Sequence, residues 1–314
     1  MDARCRNTKR HGCSWRNDRD GRTSAAPTSA GCGRSDRDPG VRRRGRVLDA
    51  GLASVKPGRG FTHALSYDRA GLGWSDPLPA ARTFNGMADD LDVLLVAAGE
   101  SPPFVLSGGS FGGLLVRAYC RRFPAKVAGA VILDAVDEAK YFPTMRHMAP
   151  VHEAELRREA DRAERGEVLA EAEPLIAAAT GLDEMTKAGM RHVLGLRSHF
   201  EAALDEIQAA ARATPEEATP GDPGSLGERP LIVLTAGKVD AGSEPAWRDG
   251  WTEAQDRLAA LSRRGVRIVA ENNGHSLALE NPKLVAAAIE AVVQAVRGAP
   301  FDVSEVRRLA SNRA

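Results

Sequence analysis

Two things are scarce in this chain: an excess of charge of either sign, and long apolar runs. Lysine and arginine number 43 against 42 aspartates and glutamates, a formal net charge of +1 over 314 residues. No field of one sign therefore recruits nucleic acid or an acidic surface, and neither is expected as a partner. No apolar stretch is long enough to span a bilayer, so no membrane span is expected. Cysteine is sparse too, and Cys5, Cys13 and Cys32, three of the four, crowd near the amino terminus. That pattern excludes a disulfide framework, and with His11 these residues fit no standard zinc spacing. No metal is expected, Cys120 reads as a core residue, and no internal repeat is apparent. A soluble, cytoplasmic protein is the resulting expectation, with its oligomeric state open.

Large aliphatic side chains are nearly missing from residues 1–44, which are rich in arginine, glycine, serine and aspartate. Such a segment cannot bury enough apolar surface to offset the entropy of ordering it, and it reads as a disordered tail. It lacks the apolar core of a signal peptide, and Asp2, Asp18, Asp20, Asp36 and Asp38 argue against a transit peptide. An upstream frame read into protein is a third reading.

What is present organises itself around residues 103–113, Pro-Phe-Val-Leu-Ser-Gly-Gly-Ser-Phe-Gly-Gly. A short apolar run ends in small residues and passes at once into the amphipathic stretch 114–123, the pattern of a buried strand turning sharply into a helix. Ser110 sits at the turn. Gly108 and Gly112 let strand and helix pass without Cβ clashes, and the NH of Phe111 at the helix start is a natural oxyanion donor.

Around this turn, short apolar runs alternate with amphipathic helices. Strands are predicted at 46–50, 63–67, 103–107, 127–134, 230–236 and 266–270. Helices are predicted from Thr83, at 114–123, around 247–261 and from Asn281-Pro282 onward. Strands with no polar face mean a parallel sheet covered on both sides, an α/β core. Between 138 and 228 the alternation gives way to charged, alanine-rich helices, read as an inserted helical cap. The core thus comprises 45–137 and 229–300, with 301–314 a terminal tail.

A serine nucleophile needs a base and an acid behind it. His275, in the loop between the strand ending near Ala270 and the last helix, lies beyond the carboxyl edge of the sheet, the edge that carries Ser110. His11, His63, His147, His152, His192 and His199 read as tail, strand-start, surface or packing residues. For the acid, Asp240 follows the strand 230–236 and is favoured because its loop gives it reach and because Ser, Asp, His is the expected chain order. Asp134, ending the strand after the elbow helix, points to the same edge and is the alternative.

Three stretches now resemble one family. They are Tyr-Asp-Arg-Ala-Gly-Leu-Gly-Trp-Ser-Asp-Pro at 67–77, Gly-Gly-Ser-Phe-Gly-Gly at 108–113, and Gly-His-Ser at 274–276 with Glu-Asn-Pro at 280–282. In order and spacing they are similar to the serine-nucleophile α/β-hydrolase superfamily, in its esterase or proline-iminopeptidase-like branch, over roughly 47–297. The resemblance implies an α/β-hydrolase fold, a mostly parallel sheet flanked by helices with a helical cap, and triad roles for Ser110, Asp240 and His275 without a cofactor. Serine at the elbow disfavours the branches with an aspartate nucleophile, such as epoxide hydrolases. Where family members usually carry His-Gly, this chain reads Asp-Ala-Gly-Leu at 49–52. The resemblance puts the second oxyanion donor there, at Leu52 beside Gly51. The expected activity is hydrolysis of a small-molecule ester through an acyl-enzyme. A proline-iminopeptidase-like aminopeptidase acting on an amide, which would need carboxylates in the cap and lacks its usual oxyanion loop here, is one alternative. A non-catalytic binding protein on the same fold is the other.

Overall fold

In a computed structural model the described residues are 62–311 apart from 78–80, 179–182, 219–220 and 239–244, preceded by three short strand segments at 14–17, 23–26 and 46–49. Strands β1 (Ser14–Asn17) and β2 (Thr23–Ala26) pair antiparallel. Both fall inside the segment expected to be disordered, whose remaining residues lie outside those described.

The main sheet contains β3 (Arg46–Asp49), β4 (Ala64–Ser66), β5 (Phe104–Gly109), β6 (Val127–Leu133), β7 (Leu231–Ala236) and β8 (Gly265–Ala270). Their order is β4-β3-β5-β6-β7-β8, and every pairing is parallel. The helices are α1 (Phe84–Ala97), α2 (Phe111–Arg122), α3 (Glu138–Glu164), α4 (Glu167–Ala178), α5 (Glu184–Leu194), α6 (Arg197–Ala211), α7 (Pro215–Ala218), α8 (Pro245–Ala260), α9 (Leu277–Glu280), α10 (Pro282–Val296) and α11 (Ser304–Ala310). Parallel pairing forces crossovers, and α1 between β4 and β5, α2 between β5 and β6 and α8 between β7 and β8 supply them, while α10 follows the last strand.

The period-2 alternation of the strands decides which residues meet which layer. Val105, Val131, Leu133, Ile232, Leu234, Ile268 and Ala270 share one cluster with Leu284, Val285, Ala288, Ile289 and Val292 of α10. The intervening Phe104, Leu106, Ala130, Ile132, Leu231 and Val233 are buried as completely, so both faces of the central strands are covered. Strand and helix approach closely enough at Gly129 that a Cβ there would stand 2.7 Å from Val292 Cγ1. Helix α10 starts as its sequence predicts, with Pro282 in the first turn and the Asn281 side chain accepting from Leu284 N at 3.1 Å.

Segment 301–314 departs from its expectation. Residues 304–310 form α11, and Val306 and Ala310 enter the same buried cluster. Val303, Val306 and Ala310 recur at helical spacing, a pattern that a terminal position disguised.

The chain divides into two compact units, one of 31–67, 88–140 and 215–314, which holds the main sheet, and one of 1–30, 68–87 and 141–214. Helices α3 to α7 fall between β6 and β7 in sequence, within the expected insertion. The glycine-rich loop from Asp68, assigned by sequence to the core, groups instead with the helical unit. Arg69 donates to both carboxylate oxygens of Glu206 on α6 at 2.6 and 3.0 Å, and Trp74 stacks on His192 of α5 with centroids 4.6 Å apart. Among the described residues no helix is long and apolar enough to cross a membrane.

Candidate active site

At the end of β5 the chain makes a turn that flanking glycines permit. Ser110 has φ 49° and ψ −120°, a left-handed conformation that costs a non-glycine residue energy and concentrates at functional sites. A Cβ on Gly108 would stand 2.5 Å from the carbonyl oxygen of Gly112, and one on Gly113 would collide with Ala135 Cβ. Small residues on both sides of the serine are therefore what lets α2 begin against β5. The turn is pinned by Ser110 N donating to Leu133 O at 3.0 Å and Gly113 N donating to Ser110 O at 3.1 Å. Phe111 is the first residue of α2, where backbone NH groups and the helix dipole favour negative charge.

The bond from Ser110 N to Leu133 O sets the serine beside the end of the adjoining strand β6, where Asp134 follows. Asp134 also has positive φ, 41°, is 3% exposed, and donates its own NH to Leu234 O at 2.7 Å. Its carboxylate is fully engaged. Oδ1 accepts from Ala236 N at 3.0 Å and from the indole Nε1 of Trp251 at 2.9 Å, and Oδ2 meets His275 Nδ1 at 2.7 Å. An ionised carboxylate only accepts, so His275 Nδ1 carries the proton in that bond and Nε2 is left as the basic nitrogen.

His275 stands on the loop after β8, and that loop is held at several points. Asn273 O accepts from Gly237 N at 3.1 Å and Lys238 N at 3.0 Å, and Gly274 N donates to Glu280 Oε2 at 2.7 Å. Gly237 has no room for a side chain, since a Cβ would lie 2.5 Å from Glu271 Cα.

Each residue from Asp134 to Glu138 is gripped by a side chain of α2 or α8. Besides the Trp251 bond, Gln255 Nε2 donates to Ala135 O at 2.6 Å, Arg117 donates to Val136 O at 2.7 Å, and Arg257 Nε donates to Asp137 Oδ2 at 2.8 Å. Arg117 also donates to both oxygens of Glu138 at 2.9 and 3.0 Å, joined by Arg121 at 3.0 Å. Burial pushes the Glu138 carboxyl up, but the two guanidiniums outweigh it and hold the group below its ordinary value.

Of the residues singled out by sequence, Ser110, Phe111, Asp134 and His275 stand at the carboxyl edge of one parallel sheet. Asp240, Gly51 and Leu52 lie outside the described residues. The carboxylate that meets His275 is that of Asp134, which the sequence offers as the alternative to Asp240 and which follows β6, the strand between β5 and β7. Trp251, Gln255 and Arg257 were not singled out, although an indole on a helix packed against a sheet signals a need for an acceptor. Among the described residues no group of three or more histidines, cysteines or carboxylates is placed to hold a metal.

Known proteins agree with this architecture. The profile of the alpha/beta hydrolase fold matches residues 63–187. The uncharacterized protein YqjL of Bacillus subtilis (strain 168) is 23% identical over 228 residues, 72% of this chain and 70% of that protein. Two other curated relatives match over only 12% and 14% of their own length, so the chain spans a small part of each. Among solved structures, a thermophilic esterase from Thermogutta terrifontis is similar with a TM-score of 0.51 and 24% identity, over 81% of this chain and 90% of that one. MenH from S. aureus is similar with a TM-score of 0.57 and 12% identity, over 82% and 95%. The sheet order and the sharp serine turn define an α/β-hydrolase fold. These likenesses are to proteins of that same fold.

Proposed function

We propose that the protein is a serine hydrolase of small carboxylic esters that works through an acyl-enzyme, with Ser110 as nucleophile, His275 as base and Asp134 as acid. The observation that supports this most is the 2.7 Å bond between His275 Nδ1 and a buried carboxylate at the sheet edge that also carries the strained Ser110. In the proposed cycle His275 Nε2 takes the Ser110 proton as Oγ bonds to the ester carbonyl carbon. The Phe111 NH steadies the oxyanion, and Nε2–H passes its proton to the leaving alkoxide as the C–O bond breaks. Water then gives a proton to Nε2 and its oxygen to the acyl carbon, and that proton returns to Ser110 as the acid leaves. A second oxyanion donor near Gly51 and Leu52 and a substrate-shaping role for the helical insertion belong to the same proposal.

The ester class draws on the esterase among the structural likenesses, a likeness of fold. The aminopeptidase alternative would use carboxylates of the insertion to hold an ammonium group. Glu206, a buried carboxylate there, is already paired with Arg69 and stands 3.6 Å from Arg82, so it lends that reading no support.

The test is hydrolysis of p-nitrophenyl acetate and butyrate, with fluorophosphonate labelling, by the full chain and by Ser110→Ala, Asp134→Asn and Asp240→Asn. Expected are turnover and labelling that vanish in Ser110→Ala, a fall of roughly 10³–10⁴ in kcat for Asp134→Asn, and near-normal rates for Asp240→Asn. Folded protein that neither turns over nor labels would overturn the enzyme reading in favour of a binding protein.

A further inference from the structure

We propose that Trp251 is a positioning residue, whose indole NH fixes the Asp134 carboxylate so that Oδ2 alone faces His275. The inference rests on the Ser110, His275 and Asp134 reading above. A carboxylate can turn about its last bond and offer either oxygen, or a skewed edge, to an imidazole. Here two donors from different elements converge on Oδ1: Ala236 N from the end of β7 at 3.0 Å and Trp251 Nε1 from α8 at 2.9 Å. One donor leaves a hinge, whereas two on one oxygen and the imidazole on the other fix the plane.

The indole suits this role chemically, having one donor, no acceptor and no accessible proton loss. Trp251 can therefore stabilise the negative charge on Asp134 without ever taking part in proton transfer. Its placement is built in. One turn further along α8, the fully buried Gln255 holds Ala135 O at 2.6 Å, and beyond it Arg257 holds Asp137, so the helix is registered on the segment that bears the acid. The same ring stands edge-on to His275, with centroids 6.4 Å apart and planes at 69°, which limits how the imidazole can tilt.

The charged groups on that segment are separately paired, Asp137 with Arg257 and Glu138 with Arg117 and Arg121. Removing the indole NH while keeping the ring thus alters one donor to one carboxylate. Without that donor the charge on Asp134 is less compensated, the imidazolium of His275 is favoured, and the acid limb of kcat/KM moves to higher pH.

The experiment compares the full chain with Trp251→Phe and with Trp251 replaced by 3-benzothienylalanine, which keeps the ring shape but has sulfur where the NH was. The isostere keeps the test open where phenylalanine impairs folding. Initial rates on p-nitrophenyl butyrate are taken across pH beside Asp134→Asn. Expected is a kcat about ten- to a hundredfold lower, the range for a lost hydrogen bond to a charged group, with KM unchanged and the acid limb shifted upward. Wild-type kcat and pH profile in the isostere while Asp134→Asn is inactive would overturn the role of Trp251 and leave the triad reading standing. A raised KM with an unmoved acid limb would overturn it as well, marking Trp251 as packing only. Full activity in Asp134→Asn would instead remove the reading on which the inference stands.

Discussion

Alanine at Gly108 and alanine at Gly109 are the same chemical change at neighbouring positions, and the elbow geometry separates them. At 108 the new methyl would lie 2.5 Å from the oxygen and 2.6 Å from the carbon of the Gly112 carbonyl, and 2.9 Å from Val116 Cγ2. Non-bonded carbons rest at about 3.5–4.0 Å, so the first turn of α2 must retreat by about 1 Å. Backbone cannot rotate aside as a side chain can, which puts the cost at the upper end of the usual ~1–3 kcal/mol for overpacking, or about 5–10 °C in Tm. Ser110 rides on that turn, and a displacement near 1 Å costs about a hundredfold in rate. At 109 the nearest atoms, Leu133 Cβ and O, are 3.5 Å away and φ is not positive, so a methyl group fits. Alanine there restricts the unfolded chain and stabilises by about 0.4–1 kcal/mol. Melting curves and the second-order rate of fluorophosphonate labelling of Ser110 test both variants. Gly109→Ala labelling as slowly as Gly108→Ala, or Gly108→Ala melting with the parent, would refute the steric account of the elbow.

Two further outcomes follow from the groups around the elbow helix. Glu138 has a folded pKa below its unfolded value, so its contribution to stability is complete above about pH 4.3 and is lost as pH falls through the folded pKa, because the unfolded chain takes up the proton first. Glu138→Gln should melt earlier at pH 7, by the roughly 3–5 kcal/mol of an orphaned buried Arg117, and its Tm should depend less on pH between 5 and 3 than the parent's. Equal slopes in the two proteins would count against the pairing. Burial pushes the Cys120 thiol up to about 12, so native protein treated with iodoacetamide and mapped by mass spectrometry should carry no label at Cys120 until denatured. Rapid native alkylation at that site would contradict the packing of α2.

Most of the sheet is legible in the sequence because strands covered on both faces leave unbroken apolar runs. Those at 104–109, 127–133 and 231–236 fall within three residues of where the runs place them. The elbow is legible for another reason: Gly108 and Gly113 are demanded by contacts under 3 Å, which are properties of the elbow's immediate packing. Long-range partnerships are not written locally. Nothing in the glycine-rich stretch from Asp68 announces that Arg69 will pair with Glu206, 137 residues away, or that Trp74 will stack on His192. Helix α11 escaped notice because only the cluster under it reveals that Val306 and Ala310 are core.

The carboxylate that meets His275 illustrates the limit best. Chain order and loop length favour Asp240, because a loop after β7 offers reach. Preorganisation is a second criterion beside reach. A useful acid must keep its charge and its orientation, which means that its second oxygen needs donors of its own. Asp134 has two, from Ala236 and Trp251, and they come from the end of β7 and from α8, more than a hundred residues along the chain. The fixed carboxylate on His275 is therefore a property of the neighbourhood that β6, β7 and α8 make together. In a parallel sheet, several strand ends carry a carboxylate to the same edge, and the one to examine first is the carboxylate whose far oxygen is already held.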